Sequence, residues 1–226
     1  MSRLFWGGFF IRRGEGMIYQ EVLKRINAVQ KLSTKDIDDI AKDYLTRGVD
    51  VGDLFPHIDE NGALFRIYLV VSLKRIQKYE DQIAFIEDLF PHLRDWWHVD
   101  ILPQLLKRAP SFDYVYGLSA KYVQSDLLFV RRWGYVIILT GFQKDPSLTK
   151  NILNLMHNDV AYYVQMAEAW LIADLAIYNP EEILHFIASR KLNYGIIGKA
   201  IQKMCDSFRI SDEIKRRARE LRALYK

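Results

Sequence analysis

A single cysteine, Cys205, in 226 residues excludes an intrachain disulfide framework. That removes the small secreted scaffolds which need one, and a reducing cytosol is the expected setting. No apolar run approaches the roughly 18–20 residues of a membrane-spanning helix, so no membrane segment is expected. Glycine is sparse and nowhere forms a phosphate-cradling loop. There is no HExxH and no CxxC, and no serine, threonine or cysteine stands in a nucleophile motif. The five histidines do not form a metal set. His92 and His98 are six apart, a poor same-face spacing, and His57, His157 and His185 have no ligand neighbours in sequence. These spacings offer no metal site.

What is present is apolar and basic. Hydrophobic residues make up 50% of the chain, enough for a real core, and the net charge is +4. A modest positive balance suits an anionic partner such as nucleic acid without requiring one. The opening stretch "MSRLFWGGFFIRRGEG" has too short an apolar centre for a signal peptide and no small-residue cleavage site. The run Arg12 to Gly16 can be written in purine-rich codons, like a ribosome-binding site ahead of Met17. Residues 1–16 are therefore expected to be a mis-called start or a non-structural leader, with one domain over 17–226.

Helical spacing dominates that domain. Ile18, Val22, Ile26 and Val29 recur at intervals of three and four. Ser33 offers an N-cap with Asp36 at the third position, and Gly48 a C-terminal stop. "GALFRIYLVVSLKRIQKY" continues the pattern. Asp145-Pro146 and Asn179-Pro180 each place a cap residue before a first-turn proline. "YVIILTGF" is β-branched, yet it carries on the spacing of "DLLFVRRWG" and reads as a buried helix. Pro56 and Pro91 lie 35 residues apart, Pro110 and Pro146 36, and Pro146 and Pro180 34. Repeats of that length fit helical hairpins that bury their apolar faces only by stacking. The expected fold is all-α, a curved α-solenoid of antiparallel helix pairs (HEAT-like repeats). An irregular helical bundle is the alternative.

Three segments carry candidate chemistry. In "LRDWWHVDIL", Trp96 and Trp97 point about 100° apart on a helix, so one of them should leave the core. Asp100 can cap the following "ILPQLLKR" helix. In "FVRRWGY", Arg131 and Arg132 splay apart inside an apolar helix, and the inward one needs an anion, either a phosphate or an internal carboxylate. "YYVQMAEAWLIADL" sets Trp170 on a third long helix, where packing is the plain reading. The basic run "KRRARELR" reads as a solvated helix face.

Taken in order, Trp-x-x-x-Asp, Arg-Arg in an apolar helix, and Ala-x-x-Trp in a later helix resemble the bacterial DNA alkylation repair glycosylases of the HEAT-like, AlkD-like family. The resemblance runs from about Asn61 to the C-terminus. It is clearest over "IQKYEDQIAFIEDLFPHLRDWWHVD", "LLFVRRWGYVIIL" and "DVAYYVQMAEAWLIADLAIYNPEEILHFI". It implies a monomeric cytoplasmic enzyme that cradles duplex DNA and hydrolyses the N-glycosidic bond of cationic alkylated purines, without metal or cofactor. Carried over, Asp100 is the catalytic carboxylate. Trp96, or Trp97 in its place, and Trp170 flank the deoxyribose, and Arg132, with Arg131 beside it, holds a DNA phosphate. The chain departs from the family pattern at three places. Two residues rather than three separate the tryptophan pair from Asp100, Met166 stands where a lysine is common, and Ala173-Asp174 where Arg-Glu is. A catalytically inactive or specialised DNA-binding module and a protein-interaction scaffold remain the alternatives.

Overall fold

The computed structural model describes residues 16–225, so the leader expected over 1–16 lies, but for Gly16, outside the described residues. Thirteen α-helices are joined by short turns and 3-10 segments, and no strand occurs among the described residues. No helix is long and apolar enough to cross a membrane. The chain divides into two compact units, the first ending at Ile76 and the second beginning at Gln77.

The first unit holds α1 (Met17–Asn27), α2 (Thr34–Arg47) and α3 (Gly62–Arg75). The Asp53 carboxylate, from a 3-10 turn, accepts the first-turn N–H groups of Ile18 and Tyr19 at 3.0 and 3.3 Å. It thereby supplies the cap that Gly16 cannot. α1 stops before Val29, while Val22 and Ile26 are buried as their spacing requires. The expected capping box is present on α2, with Ser33 and Asp36 exchanging hydrogen bonds. Gly48 ends the helix at φ 67°, a left-handed conformation that glycine adopts without a Cβ penalty. α3 is buried along most of its length and leaves helical geometry at Ile76. Arg66 on α3 clamps Asp38 on α2 through two bonds of 2.7 and 2.8 Å.

The second unit holds the remaining ten helices: α4 (Tyr79–Asp88), α5 (Trp96–Asp100), α6 (Leu102–Leu105), α7 (Phe112–Tyr122), α8 (Leu128–Val136), α9 (Thr149–Leu153), α10 (Tyr162–Tyr178), α11 (Pro180–Ala188), α12 (Tyr194–Asp206) and α13 (Asp212–Ala223). α10 is the hub. It packs against α8, α11 and α12, while α5 and α7 pack on α8 and α13 on α11 and α12. "YVIILTGF" is helical, as its spacing predicts, but tightens to a 3-10 turn over Ile137–Thr140. Asp145 caps through Ser147 N–H, onto a 3-10 turn that precedes α9. Asn179 does not cap α11. Its side-chain amide instead donates to the Pro146 carbonyl and Thr149 Oγ1, tying α11 to the start of α9.

Two buried contacts fix the elements around the site described below. Gln82 on α4 is fully buried. It donates to the Leu105 carbonyl at 3.2 Å and accepts from Lys107 N–H at 2.7 Å, which anchors the chain leaving α6. Ser119 Oγ on α7 donates to the Gly134 carbonyl on α8 at 2.6 Å. A Cβ at Gly134 would stand 2.6 Å from Val123 Cγ1 and 2.8 Å from the Val123 backbone nitrogen, closer than packed atoms allow. Gly134→Ala must therefore push α8 off α7. The expected loss of stability is about 1–3 kcal/mol, read as a lower urea midpoint, whereas Gly117→Ala on α7, where a Cβ meets open space, leaves the midpoint unchanged or higher.

Candidate functional site

α5 is only five residues long. Asp95 caps it, accepting Trp96 N–H at 2.6 Å. Trp96 and Asp100 are its first and last residues, one turn apart, so both side chains share a face. The tandem tryptophans separate as their spacing predicts. The Trp96 indole is 47% exposed and lines a cleft. Trp97 points elsewhere, with its ring edge-on to buried His98 at 4.1 Å. The shortened tryptophan–aspartate spacing therefore leaves the first indole, not the second, on the Asp100 face.

Asp100 does not cap the next helix. α6 begins at Leu102 with no side-chain hydrogen bond at its start. The expectation that a helix N-terminus holds Asp100 is corrected accordingly: its partner is a guanidinium. Arg132 Nε and Nη2 each donate to one carboxylate oxygen at 2.8 Å. Arg132 Nη1 donates to the Tyr163 carbonyl at 2.6 Å. The arginine is 5% exposed, and desolvating such a group is tolerable only because a fork-to-fork pair and a carbonyl meet it.

Arg131, the next residue, meets a different acid. Its Nε donates to Asp159 Oδ2 at 2.6 Å, and Nη1 reaches the Ser125 carbonyl at 3.0 Å. Of the two anions weighed for these arginines, phosphate and internal carboxylate, the second is what each finds within the chain. Burial works to raise the Asp159 pKa, but the Arg131 bond and the Ala161 N–H outweigh it and hold the carboxyl below its usual range.

α10 supplies the opposite wall. Tyr162, Met166 and Trp170 follow one another at four-residue steps along one face, with Tyr163 beside them. Trp170 is half-buried and opens on the same cleft as Trp96 and Asp100, joined by Lys203 of α12. The cleft encloses about 400 Å³. Sequence reasoning named Trp96, Asp100, Arg132 and Trp170, and these meet in it. It named Trp97 and Arg131 as well, and these face away from it. It passed over Tyr162, Tyr163 and Lys203, although the four-residue step from Trp170 back through Met166 to Tyr162 points to the first. Among the described residues, no group of three or more His, Cys, Asp or Glu side chains is placed to hold a metal ion. A fixed carboxylate facing two indoles suits stabilisation of a cation that develops between them.

Behind the cleft, Glu168 on α10 is fully buried. Its Oε1 accepts from His157 N–H at 3.1 Å and lies 3.2 Å from the Tyr135 hydroxyl. Oε2 has no partner among the described residues. Burial raises the Glu168 pKa despite the bonds from His157 and Tyr135. The folded chain therefore holds this proton more tightly than the unfolded chain. The resulting stabilisation is complete below the ordinary glutamate value of 4.5 and is lost as pH rises above it. Glu168→Gln keeps an acceptor at Oε1 and cannot ionise. Melting temperatures measured across that range should fall less with pH in the variant than in the wild type.

A family model described as DNA alkylation repair enzyme matches residues 29–204, a span that includes every residue of the cleft. No curated protein and no solved structure matches the chain. With the greater part of its length under that one model, the chain belongs to the DNA alkylation repair enzyme family.

Proposed function

We propose that the protein excises positively charged alkylated purines, such as N3-methyladenine and N7-methylguanine, from duplex DNA by hydrolysing the N-glycosidic bond. The observation that carries this reading is the Asp100 carboxylate, oriented by Arg132 in a cleft walled by Trp96 and Trp170. The C1′–N bond breaks with its electron pair passing to the base. The base leaves neutral because it was cationic, so no strong general acid is required. Positive charge then develops over C1′ and the ring oxygen of the sugar. Asp100 stabilises that charge and orients the water that attacks C1′; the water's proton passes to solvent. The bidentate arginine occupies two of about four acceptor sites on the carboxylate, which leaves the others for water and sugar. The two indole faces shield and stabilise the cation.

In this reading Arg132 acts on DNA through Asp100 rather than by holding a phosphate itself. Alternation of α8, α10 and α12 with α7, α11 and α13 supports a HEAT-like stack within the second unit. A monomer acting in the cytoplasm, with no cofactor, completes the proposal. A second reading, duplex binding without chemistry, rests on the departures from the family pattern at Met166 and Ala173-Asp174. Phosphate contacts are many and roughly additive, whereas catalysis depends on a few precisely held groups.

Two experiments separate these readings. Release of N7-methylguanine from methylated duplex DNA is expected from the wild type and not from Asp100→Asn; equal release by both would remove Asp100 from the mechanism. No release by the wild type, with salt-sensitive duplex binding, would establish the second reading. The two tryptophans should behave oppositely. Trp96→Ala should slow excision about tenfold, the size of a cation–π contact in a desolvated site, at an unchanged melting temperature. Trp97→Ala should lower the melting temperature and spare the excision rate of the folded fraction.

A further inference from the structure

The charged groups that line the cleft are Asp100, Arg132 and Lys203. The first two neutralise each other, and Arg132, almost wholly buried, also serves the Tyr163 carbonyl. If a DNA backbone enters here, the arginine has neither the exposure nor the freedom to meet it. Lys203 is exposed and has no hydrogen bond or ion pair among the described residues. Among the described residues, several basic side chains near it are committed, although Lys199 on the same helix is not. Arg216 pairs with Glu220, Arg217 with Glu181, Lys215 with Asp212, and Arg209 donates to the Tyr178 hydroxyl. The acid one turn from it on α12, Asp206, accepts from Gln202 instead. The helix thus delivers one uncommitted cation to the rim of the cleft, and Met166 offers it no counter-charge.

We infer that Lys203 is the phosphate-binding residue of the cleft, gripping the DNA backbone beside the nucleotide whose sugar faces Asp100. The inference rests on the DNA-repair reading above and extends it to a residue on α12. An ammonium on a flexible four-carbon stem suits this task, since it follows a phosphate as a point charge and needs no fixed plane. It also keeps its charge at the rim, where it opposes the developing sugar cation least. Met166 of α10 and Lys203 of α12 line the same cleft, and only the second brings a cation to it.

The test is binding of a short duplex, followed across a salt series, with wild type, Lys203→Gln and Lys203→Arg. One lost phosphate contact should make the slope of log K against log salt shallower by about 0.9, and binding about 5- to 10-fold weaker near 0.1 M salt. Lys203→Arg should restore both. In the excision assay Lys203→Gln should raise KM and leave kcat at saturating DNA nearly unchanged, at an unchanged melting temperature. A wild-type slope retained by Lys203→Gln would overturn the assignment and leave the DNA reading standing. A wild type with no salt-dependent duplex binding would overturn both.

Discussion

The organisation of the second unit depends on one charge in an unfavourable place. Arg132 sits in the middle of an apolar helix with its guanidinium almost wholly out of water. Such a group must be met by an anion and by acceptors for its remaining N–H groups, or the fold loses several kcal/mol. Asp100 and the Tyr163 carbonyl meet it. Three helices are thereby drawn to one point: α5 through its last residue, α8 through the arginine, and α10 through its first turn. The cleft is the space left between these helices and α12.

The rest of the unit keeps that point from shifting. The hydrogen bond from Ser119 to the Gly134 carbonyl holds α8 against α7 at a separation only glycine permits. Gln82 anchors the chain just after α6. On the far side, Arg131, Asp159, His157, Tyr135 and Glu168 form a continuous polar chain between α8 and α10. One carboxylate of that chain is stabilised in its charged form by Arg131; the other is disfavoured in that form by burial. Polar groups this deep stabilise only when nearly all are satisfied. The unpartnered Oε2 of Glu168 is the exception within it.

Local signals made much of the fold legible. The Ser33–Asp36 box and the stop at Gly48 depend on residues three or four apart, and the helices on their spacing. Spacing alone left Asp100 as a cap and Trp170 as packing. Four residues of the cleft, Trp96, Asp100, Arg132 and Trp170, were legible through the family resemblance. The partners of the arginines were not. Asp100 is 32 residues from Arg132 and Asp159 is 28 from Arg131, and nothing local says which acid goes with which arginine. Asp100 at the head of "ILPQLLKR" looked like a cap, because a cap and a buried ion-pair partner are both acids at a helix boundary. Lys203 gave no signal at all. It is one lysine on an amphipathic helix, and only the packing of α12 on α10 brings it to the cleft.

The adjacency of Arg131 and Arg132 has a geometric meaning of its own. Consecutive residues on a helix project about 100° apart, and each of these two ends in a planar fork that accepts its carboxylate in one orientation. One clamp would still let α8 rotate about its axis with its partner following. Two clamps, on partners fixed in different parts of the chain, leave no such rotation. The roll of α8 is therefore determined from two directions at once. A disturbance at Asp159, which does not itself line the cleft, would be transmitted as torsion to the carboxylate that does.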